Sequence, residues 1–185
     1  QSLVIDFNAN ERAGTPSEAD LCTFQAYTGK DPVRLNRNEI RDLLIESGLW
    51  TALRGRPFGR VANPIAVPRS IFVTAMDTNP LAASVEVVLR GREKDFEIGL
   101  RCVSKLSDGP TFVCRAAGST IVVPQVPNIR DEEFKGPHPA GTPGVHIHTL
   151  DPVCREKTVW YLNYQDVIAV GRLFNTGKLD VERIV

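Results

Sequence analysis

Apolar positions along residues 36–179 recur in two alternating rhythms, and each rhythm predicts an element. Ile40, Leu43 and Leu44 share one helical stripe within residues 37–48. Asn36 and Glu39 stand where a capping box needs them, and Gly48 supplies the stop. Residues 70–76 (SIFVTAM) then read as a strand of β-formers bounded by prolines. A longer helix is predicted over 92–106, where Phe96, Leu100, Val103 and Leu106 line one face before Ser-Asp-Gly. Residues 111–115 (TFVCR) read as a buried strand, 121–123 as a strand stub before Pro124, and 128–135 as a half-exposed strand. A glycine- and proline-rich loop occupies 136–144. Residues 158–162 (TVWYL) form another strand. Asn163 and Asp166 then cap a helix whose buried face carries Val167, Ile168, Gly171 and Phe174, ended by Gly177.

Strands alternating with helices of this length specify βαβ units and a mostly parallel sheet. Such sheets hold ligands at the carboxyl ends of their strands. Those ends are the loops after Met76, Arg115, Lys135 and Leu162. The flanks are less regular. Residues 1–35 read as a leader containing a short strand at 2–7, a polar loop at 8–16 and a short helix at 17–27. Residues 181–185 (VERIV) read as a strand beginning. Both ends are expected to continue into a longer polypeptide.

Composition narrows the function classes. The 22 basic and 22 acidic residues balance, which argues against a nucleic-acid binder acting through bulk charge. No apolar run approaches the ~20 residues of a membrane-spanning helix, so membrane association is expected to be peripheral or through partners. Cys22, Cys102, Cys114 and Cys154 are irregularly spaced without a CxxC, which suits reduced thiols of a cytosolic compartment better than a metal knuckle or a disulfide framework.

Candidate chemistry is sparse. The strand at 70–76 is followed by DTNPLA, without the glycines a dinucleotide turn needs, and no GxxxxGK[ST] is present. No GxSxG or Cys–His spacing marks a nucleophile. His138, His146 and His148 admit two readings. In a strand, His146 and His148 would share a face as two metal ligands must. Without a nearby carboxylate in the loop, histidines that pin it by hydrogen bonds are the favoured reading. The segment 48–60 (GLWTALRGRPFGR) sets Trp50 and Phe58 among Arg54, Arg56 and Arg60. Aromatic faces beside guanidinium groups suit a flat apolar ligand with polar carbonyls, or an anionic surface. On spacing alone, Trp50 and Phe58 entering the core with solvated arginines is favoured. The acidic run 131–133 reads as a solvated strand edge.

Several strings carry a family resemblance. GPHPAGTPGVHIHTLDPV and TVWYLNYQDVIAVGRLFNTGKL, with ESGLWTALRGRPFGRVANP and SIFVTAMDTNPLA before them, resemble the A subunit of the bacterial sodium-translocating NADH:quinone oxidoreductases from about Leu44 onward. The resemblance implies a Rossmann-like three-layer α/β domain with a mostly parallel sheet over 36–179. Residues 1–35 would be the remnant of a preceding β-rich barrel-sandwich domain, and 180–185 the start of a β-grasp segment. It also implies a scaffold and quinone-associated subunit on the cytoplasmic face of the inner membrane. Such a component docks on the membrane-embedded B subunit of its complex, which oxidises NADH, reduces ubiquinone and exports sodium. No cofactor is expected on this chain, the flavins and iron–sulfur cluster belonging to partner subunits. Ubiquinone is the expected ligand, and nucleic acid is not a partner.

Residues 53–61 (LRGRPFGRV) are distantly similar to the flavin loop of the flavin-carrying subunit of respiratory complex I. Pro57 and Phe58 stand where that family has small glycines, which removes room for a phosphate cradle of bare backbone amides. By this analogy Trp50, Arg54, Arg56 and Phe58 face a vacated flavin site and are the expected quinone contacts. His138, Pro139, His146 and His148 are the expected ligand or partner loop. Two alternatives stand beside this: a pure protein-interaction module without quinone contact, and a metal-dependent enzyme using the three histidines.

Overall fold

A computed structural model describes residues 9–14, 17 and 22–184. In chain order the elements are α1 (Ala9–Arg12), α2 (Arg37–Glu46), β1 (Arg54–Arg56), β2 (Arg60–Val61), β3 (Ile71–Ala75), α3 (Val85–Leu89) and α4 (Glu93–Ser104). These are followed by β4 (Thr111–Ala116), β5 (Ile129–Phe134), α5 (Pro143–Leu150), β6 (Val159–Asn163) and α6 (Tyr164–Thr176). Single 3-10 turns lie at Pro32–Arg34 and Leu49–Ala52.

The sheet order is β2-β1-β6-β3-β4-β5. β6, β3, β4 and β5 run parallel, and the β1–β2 hairpin joins β6 antiparallel as one edge. Because β3 has β4 on one side and β6 on the other, the chain reverses its direction of travel across the sheet there. The mostly parallel α/β sheet expected from the βαβ rhythm is therefore present. All five residues of β3 are buried, as a strand covered on both faces requires.

Alternation along the strands divides the core. Ile71, Val73 and Ala75 join Trp160 and Leu162 against helices α2, α3, α4 and α6. Phe72, Phe112, Cys114 and Val159 face the other way, where α5 contributes Ile147. Phe72 and Phe112 stack with centroids 4.9 Å apart. The three layers are thus unequal, four helices on one face against one on the other. Within the thick layer α4 and α6 cross at glycines. A Cβ on Gly171 would strike the Asp95 carbonyl, and one on Gly99 the Val167 carbonyl.

Both predicted capping boxes form, at Asn36/Glu39 and at Asn163/Asp166, and Gly48 and Gly177 adopt left-handed backbone beyond their helices. The predicted faces are buried: Ile40, Leu43 and Leu44 in α2; Phe96, Leu100 and Val103 in α4, with Leu106 just past its end; Val167, Ile168, Gly171 and Phe174 in α6. The four cysteines are free thiols.

Other expectations are corrected. Residues 121–123 form no strand; Val123 and half-buried Ile121 pack onto the core from irregular chain between β4 and β5. The loop at 8–16 contains the single turn α1. The strand at 2–7 lies outside the described residues, as do several of the helix at 17–27. Residues 22–27 of that helix are not helical, since the amides of Gln25 and Ala26 donate to the Glu46 carboxylate instead, each at 2.8 Å. Residues 181–184 form no strand; the backbone of Ile184 pairs with the Gln165 side-chain amide. The acidic run is, as expected, a solvated edge: β5 is the last strand of the sheet and Asp131 and Glu133 are exposed, although both also pair with Arg115.

Candidate functional site

The β1–β2 hairpin is built by its turn. Gly59 has φ 66°, and its amide donates to the Gly55 carbonyl at 2.7 Å, so the strands reverse over Pro57 and Phe58. Phe58 is left at the tip, 72% exposed. Register with β6 places Gly55 opposite Trp160 and Arg56 opposite Val159. The tip therefore lies at the amino end of the parallel strands, opposite to the end where ligands of such sheets ordinarily sit.

Two hollows flank the hairpin. The larger is an open groove of about 1080 Å³ whose lining includes Arg56, Phe58, Val61, Val67, Lys157 and Trp160. The smaller, about 280 Å³, is lined by Arg56, Pro57, Gly144, Ile147, His148, Pro152 and Val153. Arg56 borders both. Its guanidinium carbon lies 5.3 Å from the centre of the Tyr161 ring, and its Nε is buried without a hydrogen-bond partner. Among the described residues, the side chains of Arg54, Arg56 and Arg60 form no ion pair or hydrogen bond. A weakly hydrated guanidinium held against an aromatic face, with a donor unused, is suited to a carbonyl or carboxylate oxygen.

Behind the groove the cations are tied down. Asp151 accepts from Ser70 Oγ at 2.7 Å and from Lys157 Nζ, and lies 3.8 Å from Arg69 Nε. Burial pushes the Asp151 carboxyl upward, but the bonds from Lys157 and Ser70 together hold it below the usual range. This pin fixes the end of α5 to the start of β3.

The predicted residues separate. Trp50 is a core residue, 5% exposed, whose Nε1 donates to the Ala62 carbonyl at 2.7 Å. Phe58 does not enter the core. Arg54 is exposed and lines neither hollow. His146 and His148 lie on α5 rather than in a strand, because Pro143 at the first helical position starts a helix there, whereas His138 stays in the loop before it. Two residues apart on a helix, His146 and His148 face different ways. His146 is fully buried against Phe134, and its Nε2 donates to the Ala140 carbonyl at 2.8 Å. Its Nδ1 is buried without a partner, and burial holds its pKa below the ordinary value.

His138 is exposed, with Nδ1 3.4 Å from Thr78 Oγ1, and the exposed Pro139 accepts from Thr142 Oγ1. Gly141 donates to Thr78 Oγ1 at 3.0 Å, so this loop folds back onto the carboxyl end of β3. His138 and His146 thus each bond to or from this loop, whereas His148 is exposed on α5 without a side-chain hydrogen bond among the described residues. No group of three His, Cys, Asp or Glu side chains that could hold a metal occurs among the described residues. Of the predicted site residues, only Arg56 and His148 bring the two segments to one place, as lining of the smaller hollow. Trp160, Tyr161 and Val153 were missed. Their periodicity marks them as core, and no local signal shows that they also line an edge.

The chain matches the family model described as NqrA second alpha/beta domain, over residues 35–179. Among curated proteins it is similar to the A subunit of the Na(+)-translocating NADH-quinone reductase of Pasteurella multocida, at 49% identity over the whole chain and 40% of that relative's length. The same subunit of a Marinomonas species is 50% identical, over the whole chain and 39% of the relative. That of Rhodopirellula baltica is 48% identical with the same coverage. The chain thus spans about two fifths of the length of the curated relatives it matches.

Proposed function

This chain belongs to the NqrA family, and we propose from that premise that it is a non-catalytic part of the A subunit in a sodium-pumping NADH:ubiquinone reductase. Its role is to scaffold the complex at the cytoplasmic face of the bacterial inner membrane, docked on the membrane-embedded B subunit, and to contact ubiquinone. No described helix is long and apolar enough to cross a membrane, which agrees with attachment through partners or by an exposed surface. Flavins and the iron–sulfur cluster belong to the partner subunits in this reading, and this chain supplies no group that transfers electrons.

The observation that carries the quinone contact is Arg56. It is free of ion pairs among the described residues, keeps a buried donor unused, and stands between two hollows beside exposed Phe58. A quinone is a flat apolar ring with two carbonyl acceptors, which this pairing of guanidinium and aromatic groups suits. Arg54 adds charge on the same strand. Trp50 acts from behind, as the core partner of groove-lining Trp160. His148 forms the facing wall of the smaller hollow, and His138, Pro139 and His146 hold the loop that leads into α5.

The test is photolabelling of the intact complex with a quinone analogue. Label falling within residues 49–60, competed by excess ubiquinone, is expected. Label confined to other segments would overturn the quinone contact and leave the scaffold reading.

A further inference from the structure

Ten residues of the hairpin and the loop after it carry a concentration of exposed apolar side chains. Phe58 is 72% exposed, Val61 42%, Ile65 87% and Val67 49%. The other exposed large apolar residues among those described are scattered singly, or lie in the chain after α6. Asn63 holds the loop in shape: its Oδ1 accepts from the Ile65 amide at 3.2 Å, and its carbonyl from the Ala66 amide at 3.0 Å. The four side chains thus project from a turn and an ordered loop rather than from a flat face. Arg54 and Arg60 flank them, with Arg56 behind, and none of the three is ion-paired among the described residues. The acids nearby are committed or few. Asp108 pairs with Arg37 at 2.5 Å and Asp151 with Lys157, which leaves Glu156 as the unpaired carboxylate of the groove among the described residues.

We propose that this edge, Phe58, Val61, Ile65 and Val67 with Arg54 and Arg60, seats directly on an anionic phospholipid surface. A bilayer interface takes small apolar protrusions into the acyl boundary while arginines meet the phosphates around them. The charge is complementary, since cations without protein partners surround the apolar tip. A protein partner fits less well. A stable interface needs about 800 Å² on each side, and β2 offers only two residues of edge for strand addition. The contact is direct, and it goes beyond the quinone reading without depending on it.

The test is flotation of the full-length subunit with lipid vesicles, without quinone. Flotation is expected with vesicles containing phosphatidylglycerol, and much less with phosphatidylcholine alone or in high salt. Arg54→Gln with Arg60→Gln should weaken partition by about fivefold per charge removed. Phe58→Ser with Ile65→Ser should weaken it about tenfold. Ile65→Ser alone, at a residue outside the quinone contact, should also lower it. All are exposed, and an unchanged melting temperature verifies the fold. Absence of flotation with anionic vesicles, as when another segment or a protein partner covers the edge, would overturn the proposal. So would flotation that survives both double substitutions.

Discussion

Trp50 and Trp160 meet edge to face, with ring centroids 5.5 Å apart at an interplanar angle of 84°. The pair joins the 3-10 turn after α2 to the strand beside the hairpin, and Trp50 Nε1 closes the arrangement on the Ala62 carbonyl. The hairpin is therefore held from inside the core, and the tip that carries Phe58 is oriented by residues that are themselves almost wholly buried.

Trp50→Ala should consequently behave as a core mutation. A loss of about 3–5 kcal/mol is expected, and Trp50→Phe should lose about 1–3 kcal/mol because the Ala62 carbonyl is left without its donor. Urea unfolding measures both. Phe58→Ser should leave stability within about 0.5 kcal/mol. A quinone affinity that falls in Phe58→Ser at unchanged stability is then a contact effect, whereas the same fall in Trp50→Ala is not.

Gly171→Ala should be severely destabilising, by about 3 kcal/mol or more, because its methyl meets the Asp95 backbone carbonyl across the α4–α6 contact. Gly99→Ala should act likewise through the Val167 carbonyl. Gly144→Ala is the contrast. It sits near the start of α5 with nothing within 4 Å of the added methyl, so stability should rise slightly, by about 0.5 kcal/mol. Melting temperatures of the three variants check the ordering.

His146 makes stability fall on mild acidification. Burial holds its folded pKa below the ordinary value of 6.5, so between the two values the unfolded chain binds more protons. Its contribution is present above about pH 6.5 and is lost as the pH falls below it. Asp151 acts in a lower window: its folded pKa is depressed, so its contribution is present above the unfolded carboxylate value and lost as pH falls through the folded one. His146→Phe should flatten the upper part of the stability–pH curve and Asp151→Asn the lower. A His146→Phe curve parallel to the parent between pH 5 and 7 would contradict the assignment.

Thiol reactivity should split evenly. Cys22 and Cys154 are exposed, whereas Cys102 and Cys114 are buried. Burial pushes the Cys102 thiol up to about 12 and Cys114 higher still. An aromatic disulfide reagent at neutral pH should titrate two thiols in the folded chain and the remaining two only after denaturant is added.

The regular core was legible in the sequence because its signals are local. Asn36 with Glu39, Asn163 with Asp166, and the apolar stripes of α2, α4 and α6 each specify an element within one or two turns of chain, and short runs of β-formers between turn residues mark the four parallel strands. The candidate site was not legible in that way. Nothing near residue 50 shows that Trp50 finds Trp160 while Phe58, eight residues on, finds solvent; register against β6 decides that. Pro143 suits a helix start but does not by itself impose one, so nothing near His146 and His148 decides that the segment is a helix that buries the first and leaves the second lining the hollow that Arg56 borders. A strand and a helix turn the same residues to different faces. The choice between them in this segment was made by the bare face of the sheet that α5 covers, a partner about 70 residues away in sequence at β3. The sequence by itself determined a parallel α/β domain of this family. Only the tertiary structure decided which of its aromatic and basic residues are core and which form an edge.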